Sequence, residues 1–263
     1  NFIFFLGVVL ILSLLISNGF QAFMTWCITY FINMQGSRLA VRLLENYLMR
    51  PYGFFLVRNT SDLGKNILFE VHRATRGVIM QSLIVLSKII IVLFLFLLLI
   101  FVNPIIALSA VIFLGGIYTL IFTLVKHKLL NIGLATTKDN FILLKSGNDA
   151  MSGIKDIKLR GSEEEFINRF SLPSINIANY IAQKTLIASL PRYLLEVVAF
   201  GGIVAIIISL IAINKGMIST IIPVISLYVM TGYRLLPAFQ QIYGGIAGIK
   251  FDLPASENLI REF

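Results

Sequence analysis

Charged residues are absent from four long runs of the chain, and these runs dominate its hydrophobic pattern. Residues 1–37, 89–125, 197–214 and 216–233 contain no Asp, Glu, Lys or Arg. A helix needs about 20 residues to cross the roughly 30 Å hydrocarbon layer of a membrane, so each run is close to spanning length or longer. The run 89–125 contains Asn103-Pro104, which disfavours continuous helix, and is interpreted as two spans joined by a tight turn.

The pattern predicts an all-α, polytopic membrane protein. Five spans are expected, at roughly 3–30, 79–102, 105–125, 193–213 and 217–238. The runs are too long and too continuously apolar for the ten-residue alternating strands of a membrane β-barrel. A mean hydropathy of +0.88 agrees with the membrane class.

Basic residues lie mainly in two long segments between the spans. Segment 38–76 holds seven Lys and Arg and segment 126–192 holds ten, whereas the turns at 102–104 and 212–219 hold none and one. The positive-inside rule therefore places both long segments and the C-terminus in the cytoplasm. The net charge of +9 is explained by this topology. The bases are too dispersed over membrane-proximal loops to predict nucleic-acid binding.

Cysteine and histidine supply no metal or redox site in this sequence. Cys27 is the single cysteine, so no internal disulfide can form, and no Cys/His cluster has the spacing of metal ligands. His72 and His127 stand alone in cytoplasmic extensions and are interpreted as surface residues. We therefore expect no metal and no cofactor within this chain.

The apolar pattern continues at helical spacing beyond the first span. Between residues 38 and 49 one face is an apolar stripe, whose members are Leu39, Leu43, Leu44, Tyr47 and Leu48. The first span is expected to run on as an amphipathic helix until Pro51 ends it. Because each helical residue adds 1.5 Å, about 20 further residues carry such a rod about 30 Å into the cytosol.

A short polar segment is expected to close each pair of rods at its cytoplasmic tip. The first tip is 58–67 and the second is 161–170. The second lies in the most charged part of the chain, since eight of the sixteen residues 155–170 are charged. Ser162 and Glu165 are spaced as a capping box, and the helix dipole favours acids at an N-terminus. Each tip is predicted to hold a short capped helix that touches a partner, while a solvated helix–turn–helix is the simpler interpretation.

The stretches around these tips resemble a known family. LMRPYGFFLVRNTSDLGKNILFEVHRAT (48–75) has a Pro–aromatic turn before a short helix and a rod. MSGIKDIKLRGSEEEFINRF (151–170) has a Gly-Ile-Lys-Asp-Ile-Lys run followed by Gly, acids and Phe. They resemble the two intracellular loops of ATP-binding-cassette exporters, whose transmembrane domain has six long helices and two cytoplasmic coupling helices. The resemblance covers residues 1–263 and implies five of the six helices, with the first expected upstream of Asn1.

Two further stretches narrow the resemblance. LPRYLLEVVAFGG (190–202) and GYRLLPAFQQIYGGI (232–246) are most similar to lipid-linked-oligosaccharide flippases and exporters of polysaccharides or glycolipids. The resemblance implies an alternating-access transporter in the bacterial inner membrane. Such a transporter works as a pair of copies, moves a lipid-like substrate outward, and is driven by a nucleotide-binding domain.

The motifs of that nucleotide-binding domain are absent from this sequence. No G-x-x-x-x-G-K-[ST] phosphate loop and no LSGGQ-like signature occurs. The chain alone is therefore expected not to hydrolyse ATP. The resemblance implies a nucleotide-binding domain, with its ATP and Mg, after Phe263 or on a separate chain.

The resemblance assigns contacts with that domain to the two tips. The contact residues are Asn59, Thr60, Ser61, Asp62 and Leu63 in the first tip, and Gly161, Ser162, Glu163, Glu164, Glu165, Phe166 and Phe170 in the second. The three glutamates are expected to cap and solubilise the second coupling helix. The two phenylalanines are expected to insert into a groove of the motor domain.

Four charged side chains are predicted near inner-leaflet depth within the spans. Counted from the outer turns at 1.5 Å per residue, Lys88 lies about 22 Å deep and Glu196 about 27 Å. Arg234 and Arg192 lie about 28 and 33 Å deep. Such charges are costly unless they pair, reach headgroups or face water.

Two interpretations of these charges stay open. In one, Arg192 and Glu196 form a structural pair while the other cations reach headgroups. In the other, the cations line an inward-opening cavity and bind an anionic headgroup, for which guanidinium groups are well suited. The resemblance gives that role to Arg192 and Arg234, and depth alone suggests it for Lys88.

Other classes of function are also compatible with the pattern. An exporter of peptides or drugs would share the same architecture. A secondary transporter would need intramembrane carboxylates, for which Glu196 is the only candidate. A simple membrane anchor would not need two pairs of long rods.

Overall fold

The computed structural model is all-helical and contains no strand among its described residues, which confirms the all-α prediction. Helix bounds are described for residues 2–102, 104–213 and 218–263, and side-chain surroundings for the same residues except 2–3, 6, 10, 98–99, 102, 105–114, 194–195 and 197–234. In chain order the elements are α1 (Phe2–Leu48), α2 (Tyr52–Val57), α3 (Thr60–Lys65), π1 (Asn66–Glu70), π2 (Arg73–Met80), α4 (Gln81–Val102), α5 (Pro104–Ser152), α6 (Ile154–Arg160), α7 (Glu163–Ile213) and α8 (Ile218–Glu262).

Four helices are much longer than a bilayer is thick. They are α1, α5, α7 and α8, with 47, 49, 51 and 45 residues, or about 70 Å each. A fifth rod runs through α3, π1, π2 and α4. The first rod ends at Leu48, three residues before Pro51. Pro104 begins α5, at a position where its missing N–H costs no helical hydrogen bond.

Three helical stretches of the described residues are long and apolar enough to cross a membrane. They are Gly7–Leu48, Thr60–Leu97 and Gly115–Ser152, and they overlap the first three predicted spans. The predicted spans 193–213 and 217–238 fall in α7 and α8, where most side chains lie outside the described residues. Those two spans therefore stay predictions.

The apolar stripe of α1 is narrower than predicted. Leu43 and Tyr47 are buried, at 0% and 3% relative exposure, and Leu39 is half-buried. Leu44 and Leu48 were predicted on the same stripe but are 45% and 71% exposed. The main contacts of α1 are with π1 and π2 only. One row of side chains at four-residue spacing is therefore enough to cover this interface.

Helix α8 contributes to all three buried apolar clusters. Phe251 packs among side chains of α5 and α7. Ala238 packs with Phe96 of α4, and Leu259 joins Leu43 of α1 at the first tip. The last helix therefore connects the apolar half of the bundle with the end that carries the first tip.

Candidate functional site: two tips of the rods and a buried charge cluster

The first tip is a short helix with a side-chain N-cap, as predicted. Asn59 Oδ1 accepts a hydrogen bond from the Ser61 backbone N–H at 2.9 Å, which satisfies one of the free amides at the start of α3. Asn59 and Thr60 are exposed, whereas Ser61 and Leu63 are buried. The Ser61 hydroxyl accepts from Asn148 Nδ2 of α5 at 3.3 Å. The tip thus presents its first residues outward and rests on α5 through the others.

Ion pairs tie this tip to the end of α8. Half-buried Asp62 lies 2.9 Å from Lys65 Nζ and 3.6 Å from Arg58 NH1. Arg58 NH1 is 2.8 Å from Glu262 Oε1, and the Tyr47 hydroxyl donates to Glu262 Oε2 at 3.2 Å. The hydrogen bond to Glu262, together with its charge, raises the pKa of the Arg58 guanidinium. The C-terminal end of α8 is therefore held against the first tip.

The second tip also contains a short helix, but it precedes the predicted segment. Helix α6 covers Ile154–Arg160, and the predicted segment instead holds a turn and the start of α7. Gly161 follows α6 with φ of +64°, a left-handed conformation that glycine adopts at little cost. The Ser162 N–H donates to Ile157 O at 3.2 Å. That donor is not available to Glu165, so the predicted capping box is wrong.

The three glutamates occupy the first turn of α7, where the helix dipole favours acids. Glu163 Oε1 accepts from Lys158 Nζ at 3.0 Å across the turn. This hydrogen bond, with the backbone N–H of Glu163 and the Lys158 charge, lowers the pKa of the Glu163 carboxyl. Glu165 pairs with Arg169 one turn later, and Glu164 is exposed.

A groove of about 420 Å³ runs between α5 and α7 behind the second tip. Lys145, Asp149 and Arg169 line it together with Phe166, which is half-buried. Phe170 is 45% exposed on the adjoining surface. The two phenylalanines predicted to act alike are therefore placed differently. One lines a groove of this chain, while the other is presented to solvent.

Sequence reasoning missed a buried cluster where four helices meet, here called the clasp: Arg73 of π2, Thr137 of α5, Lys184 of α7 and Asp252 of α8. Asp252 Oδ1 is 2.9 Å from Arg73 Nε, and its Oδ2 is 2.8 Å from Lys184 Nζ. Arg73 NH1 donates to the Thr137 hydroxyl at 2.7 Å. Both cations lie near the Phe251 ring, 5.3 and 4.5 Å from its centroid. One carboxylate of α8 thus binds one cation of π2 and one of α7, and so connects three helices.

Close backbone approach at the clasp depends on glycine. A Cβ atom on Gly133 of α5 would lie 2.1 Å from Phe251 O, so any side chain there would push α5 and α8 apart. Arg73 NH2 donates to that same carbonyl at 3.2 Å and to Gly133 O at 3.4 Å. All three guanidinium nitrogens are therefore engaged, a geometry that a lysine ammonium does not reproduce.

Glu70 of π1 is fully buried beside the clasp, at 0% exposure. Neither of its carboxylate oxygens accepts a hydrogen bond from a described residue, and its ion-pair contact is Arg73 NH1 at 3.7 Å. Glu70 lies about 45 Å along its rod from Val102, which is more than the roughly 30 Å of hydrocarbon. Glu70 and the clasp therefore lie beyond the stretch of the rods that a membrane would cover.

The predicted cavity charges are brought together only in part. Arg192 Nε donates to Glu196 Oε1 at 2.7 Å, and the two side chains remain 52% and 41% exposed. Lys88 is half-buried on α4 and forms no ion pair with a residue whose side chain is described. The side chain of Arg234 lies outside the described residues.

A partial signal for the clasp was present in the sequence. Lys184 stands in the largely apolar helical stretch 177–190, and such a charge commonly has a buried partner. Its partner Asp252 is 68 positions away, and the other pair, Arg73 with Asp252, is separated by 179. Helical periodicity relates residues a few positions apart, so it does not identify pairs at this separation.

Compared with profiles of known protein families, the sequence matches none. Within the described ranges, no group of three or more His, Cys, Asp or Glu side chains is placed to hold a metal ion. The candidate site is therefore defined by geometry: two tips at one end of the rods, a groove behind one of them, and a clasp that joins the rods.

Proposed function

We propose that this chain is the membrane-spanning part of an ATP-driven exporter or flippase of the ATP-binding-cassette class. Its substrate would be an amphiphile such as a lipid-linked oligosaccharide or a glycolipid, moved across the bacterial inner membrane by alternating access. The observation that carries the proposal is the pairing of rods of 45–51 residues with short helices α3 and α6 at the turns between rods.

Rod length is the first support for this proposal. A helix of 49 residues is about 74 Å long, and hydrocarbon accounts for only about 30 Å of it. A membrane anchor or a simple pore gains nothing from so much helix outside the lipid. Long extensions are useful where a separate domain in the cytosol has to move the membrane part.

The clasp is the second support. It joins π2, α5, α7 and α8 through one buried carboxylate and two cations, so a force applied at a tip reaches several rods together. In the proposed mechanism, a nucleotide-binding domain supplies ATP binding and hydrolysis, with Mg. The rods of this chain then swing between inward-open and outward-open arrangements.

The exposed residues of the tips are the best candidates for contact with the nucleotide-binding domain. They are Asn59 and Thr60 in the first tip and Gly161, Glu164, Glu165 and Phe170 in the second. Ser61 and Leu63 are buried, so their role would be to hold the first tip against the bundle. Arg192 and Arg234, with Lys88, would bind the anionic part of the substrate headgroup.

Two other classes of transporter would differ from the proposed one in the chemistry of their binding sites. A peptide or drug exporter would share the rods and tips and differ only in cavity chemistry. An ion-coupled secondary transporter would need an intramembrane carboxylate free to bind its ion. The 2.7 Å pairing of Glu196 with Arg192 argues against that role for the one candidate that the sequence offered.

The test combines the protein with its nucleotide-binding domain, fused or separately encoded, in proteoliposomes. Thr60→Ala and Phe170→Ala, which truncate exposed tip residues, are expected to lower substrate-stimulated ATP hydrolysis several-fold. Ile181→Ala is the matched control, because Ile181 is 51% exposed on α7 but about 27 Å from its start. Failure of any ATP-hydrolysing domain to co-purify with the protein would contradict the proposal. Equal rates in all three variants would contradict the coupling role of the tips.

A further inference from the structure

We infer that the membrane half of α1 carries a binding surface for the sugar headgroup of the transported amphiphile. The surface, here called the α1 polar stripe, consists of Asn18, Gln21, Thr25 and Thr29. Trp26 borders it. The choice of a sugar rests on the proposed function, whereas the existence of the surface rests on the structure alone.

The α1 polar stripe lies on the face of α1 that packs on the bundle farther along. Its positions continue at helical spacing to Ile32, Gly36 and Leu43. Ile32 and Leu43 are buried at 1% and 0%, and a Cβ atom on Gly36 would lie 3.1 Å from Thr75 Oγ1 of π2. The stripe is therefore an inward face of the helix.

No described part of the chain covers this face between Asn18 and Thr29. The surface there is open and shallow, and its lining residues, which include Ala22 and Trp26, all belong to α1. The side-chain amides of Asn18 and Gln21 make no hydrogen bond to another described residue. The Thr25 hydroxyl donates to Gln21 O at 2.8 Å and keeps its acceptor lone pairs free.

The chemistry of the stripe suits neutral hydroxyl groups. Residues 1–37 contain no charge, so this surface has nothing to pair with a phosphate or a peptide carboxylate. Amides and hydroxyls donate and accept equally, which matches the hydroxyls of a sugar. Left against lipid tails, the same groups would be costly because hydrocarbon offers no hydrogen-bond partner.

An aromatic wall stands beside the stripe. Trp26 stacks with Tyr30 at 5.7 Å between ring centroids, and Phe23 lies 6.2 Å from Trp26 on the other side. Such rings offer broad apolar area with a polar edge, which fits the C–H faces and hydroxyl edges of a sugar ring. The stripe lies about 14 to 30 Å from Arg38 along the helix, within the membrane that the headgroup must cross.

Trp26 is the only tryptophan of the sequence, and its fluorescence provides the test. The protein is reconstituted in nanodiscs of phosphatidylcholine doped with increasing fractions of diglucosyl diacylglycerol, without ATP. We expect a saturable change in Trp26 emission. The double variant Asn18→Ala/Gln21→Ala should raise the half-saturating fraction about tenfold, which corresponds to losing about two hydrogen bonds. Ser17→Ala is the matched control, since Ser17 is exposed about 100° away around the helix.

Two results would overturn the inference. One is a midpoint that is the same in the wild-type protein and the double variant, with both equally folded by thermal melting. The other is emission that follows protein concentration and ignores the glycolipid, which would mean that a second copy covers the stripe. Because the assay contains no nucleotide, a failure of ATP coupling leaves its result unaffected. The two proposals can thus fail separately.

Discussion

Gly77 of π2 faces Asp252 of α8 so closely that a Cβ atom on Gly77 would lie 2.2 Å from Asp252 Oδ2. That oxygen is the one that binds Lys184. Because glycine has no Cβ atom, it allows the two helices to approach each other this closely at the clasp. Glycine here is a packing requirement, since its backbone is helical and needs no left-handed conformation.

Gly77→Ala is accordingly expected to displace Asp252 and to lower the free energy of unfolding by about 2 kcal/mol, as overpacking of a buried contact does. The midpoint of thermal unfolding in detergent measures this. Gly244→Ala is the matched control, because nothing lies within 4 Å of a Cβ there and helix propensity favours alanine. Equal midpoints for the two variants would contradict the proposed packing role of Gly77.

Asp252→Ala is expected to destabilise the protein by about 3 kcal/mol, because it leaves Arg73 and Lys184 without their common carboxylate. Adding Lys184→Met to Asp252→Ala should recover part of the loss by removing one uncompensated cation. Glu165→Ala, which removes an exposed pair with Arg169, should change stability by less than about 0.5 kcal/mol. A strictly additive double variant would show that the two residues are not coupled.

Glu70→Leu is expected to raise the thermal midpoint. The buried carboxylate accepts no hydrogen bond from a described residue, and Arg73 keeps its contacts with Asp252, Thr137 and two backbone carbonyls when Glu70 is removed. An unsatisfied buried polar group carries a desolvation penalty of about 1–3 kcal/mol, which an apolar side chain of similar volume avoids. A lower midpoint would indicate that Glu70 has a partner in solution, such as a bound water or a proton, and Glu70→Gln would distinguish a need for hydrogen bonding from a need for charge.

The carboxyl of Glu163 is expected to titrate below its ordinary pKa because Lys158 donates a hydrogen bond to it. Its pKa is lowered in the folded state, so the associated stability is present above the ordinary carboxyl pKa and is lost as pH falls through the folded value. Carboxyl ¹³C shifts of labelled glutamate, followed against pH, measure this. In Lys158→Met the Glu163 titration should move up toward its ordinary range, because the hydrogen bond and the charge of Lys158 are lost.

Arg192→Ala and Arg234→Ala are each expected to lower the rate of lipid flipping about tenfold or more, since each would remove donors to an anionic headgroup. Protein level and the ATPase activity without substrate should persist. A fluorescent anionic lipid in proteoliposomes measures the flipping. Glu196→Gln tests the competing structural role, because loss of the Arg192–Glu196 pair alone should leave flipping nearly unchanged. Unchanged flipping in both arginine variants would remove the headgroup assignment.

Local signals made the rods and their breaks predictable. The charge-free runs 1–37 and 89–125 marked the three helical stretches that are long and apolar enough to cross a membrane. Pro104 marked the start of α5, because proline suits the first position of a helix, where its missing N–H costs no hydrogen bond. The N-cap at Asn59 also depends only on neighbouring residues, because a short polar side chain before α3 accepts a hydrogen bond from a free amide two residues later.

Features that depend on tertiary contact were not predictable. The exposure of Leu44 and Leu48 follows from how few neighbours α1 has, which helical periodicity does not encode. The second tip was misplaced because Ser162 matched a capping pattern while its N–H was already used by Ile157. The clasp joins residues from four separate helices, and only their packing brings Arg73 to Asp252.

The position of the clasp along the rods has a mechanical consequence. Thr137 is 15 residues from the Ser152 end of α5, beside the second tip, and 33 residues from its Pro104 end, or about 22 and 50 Å. If the clasp acts as a fulcrum, the rod is a lever with unequal arms. A tip displaced by about 3 Å would then move the Pro104 end by about 7 Å, so a small movement at the tip would be amplified about twofold at the opposite end of the rod.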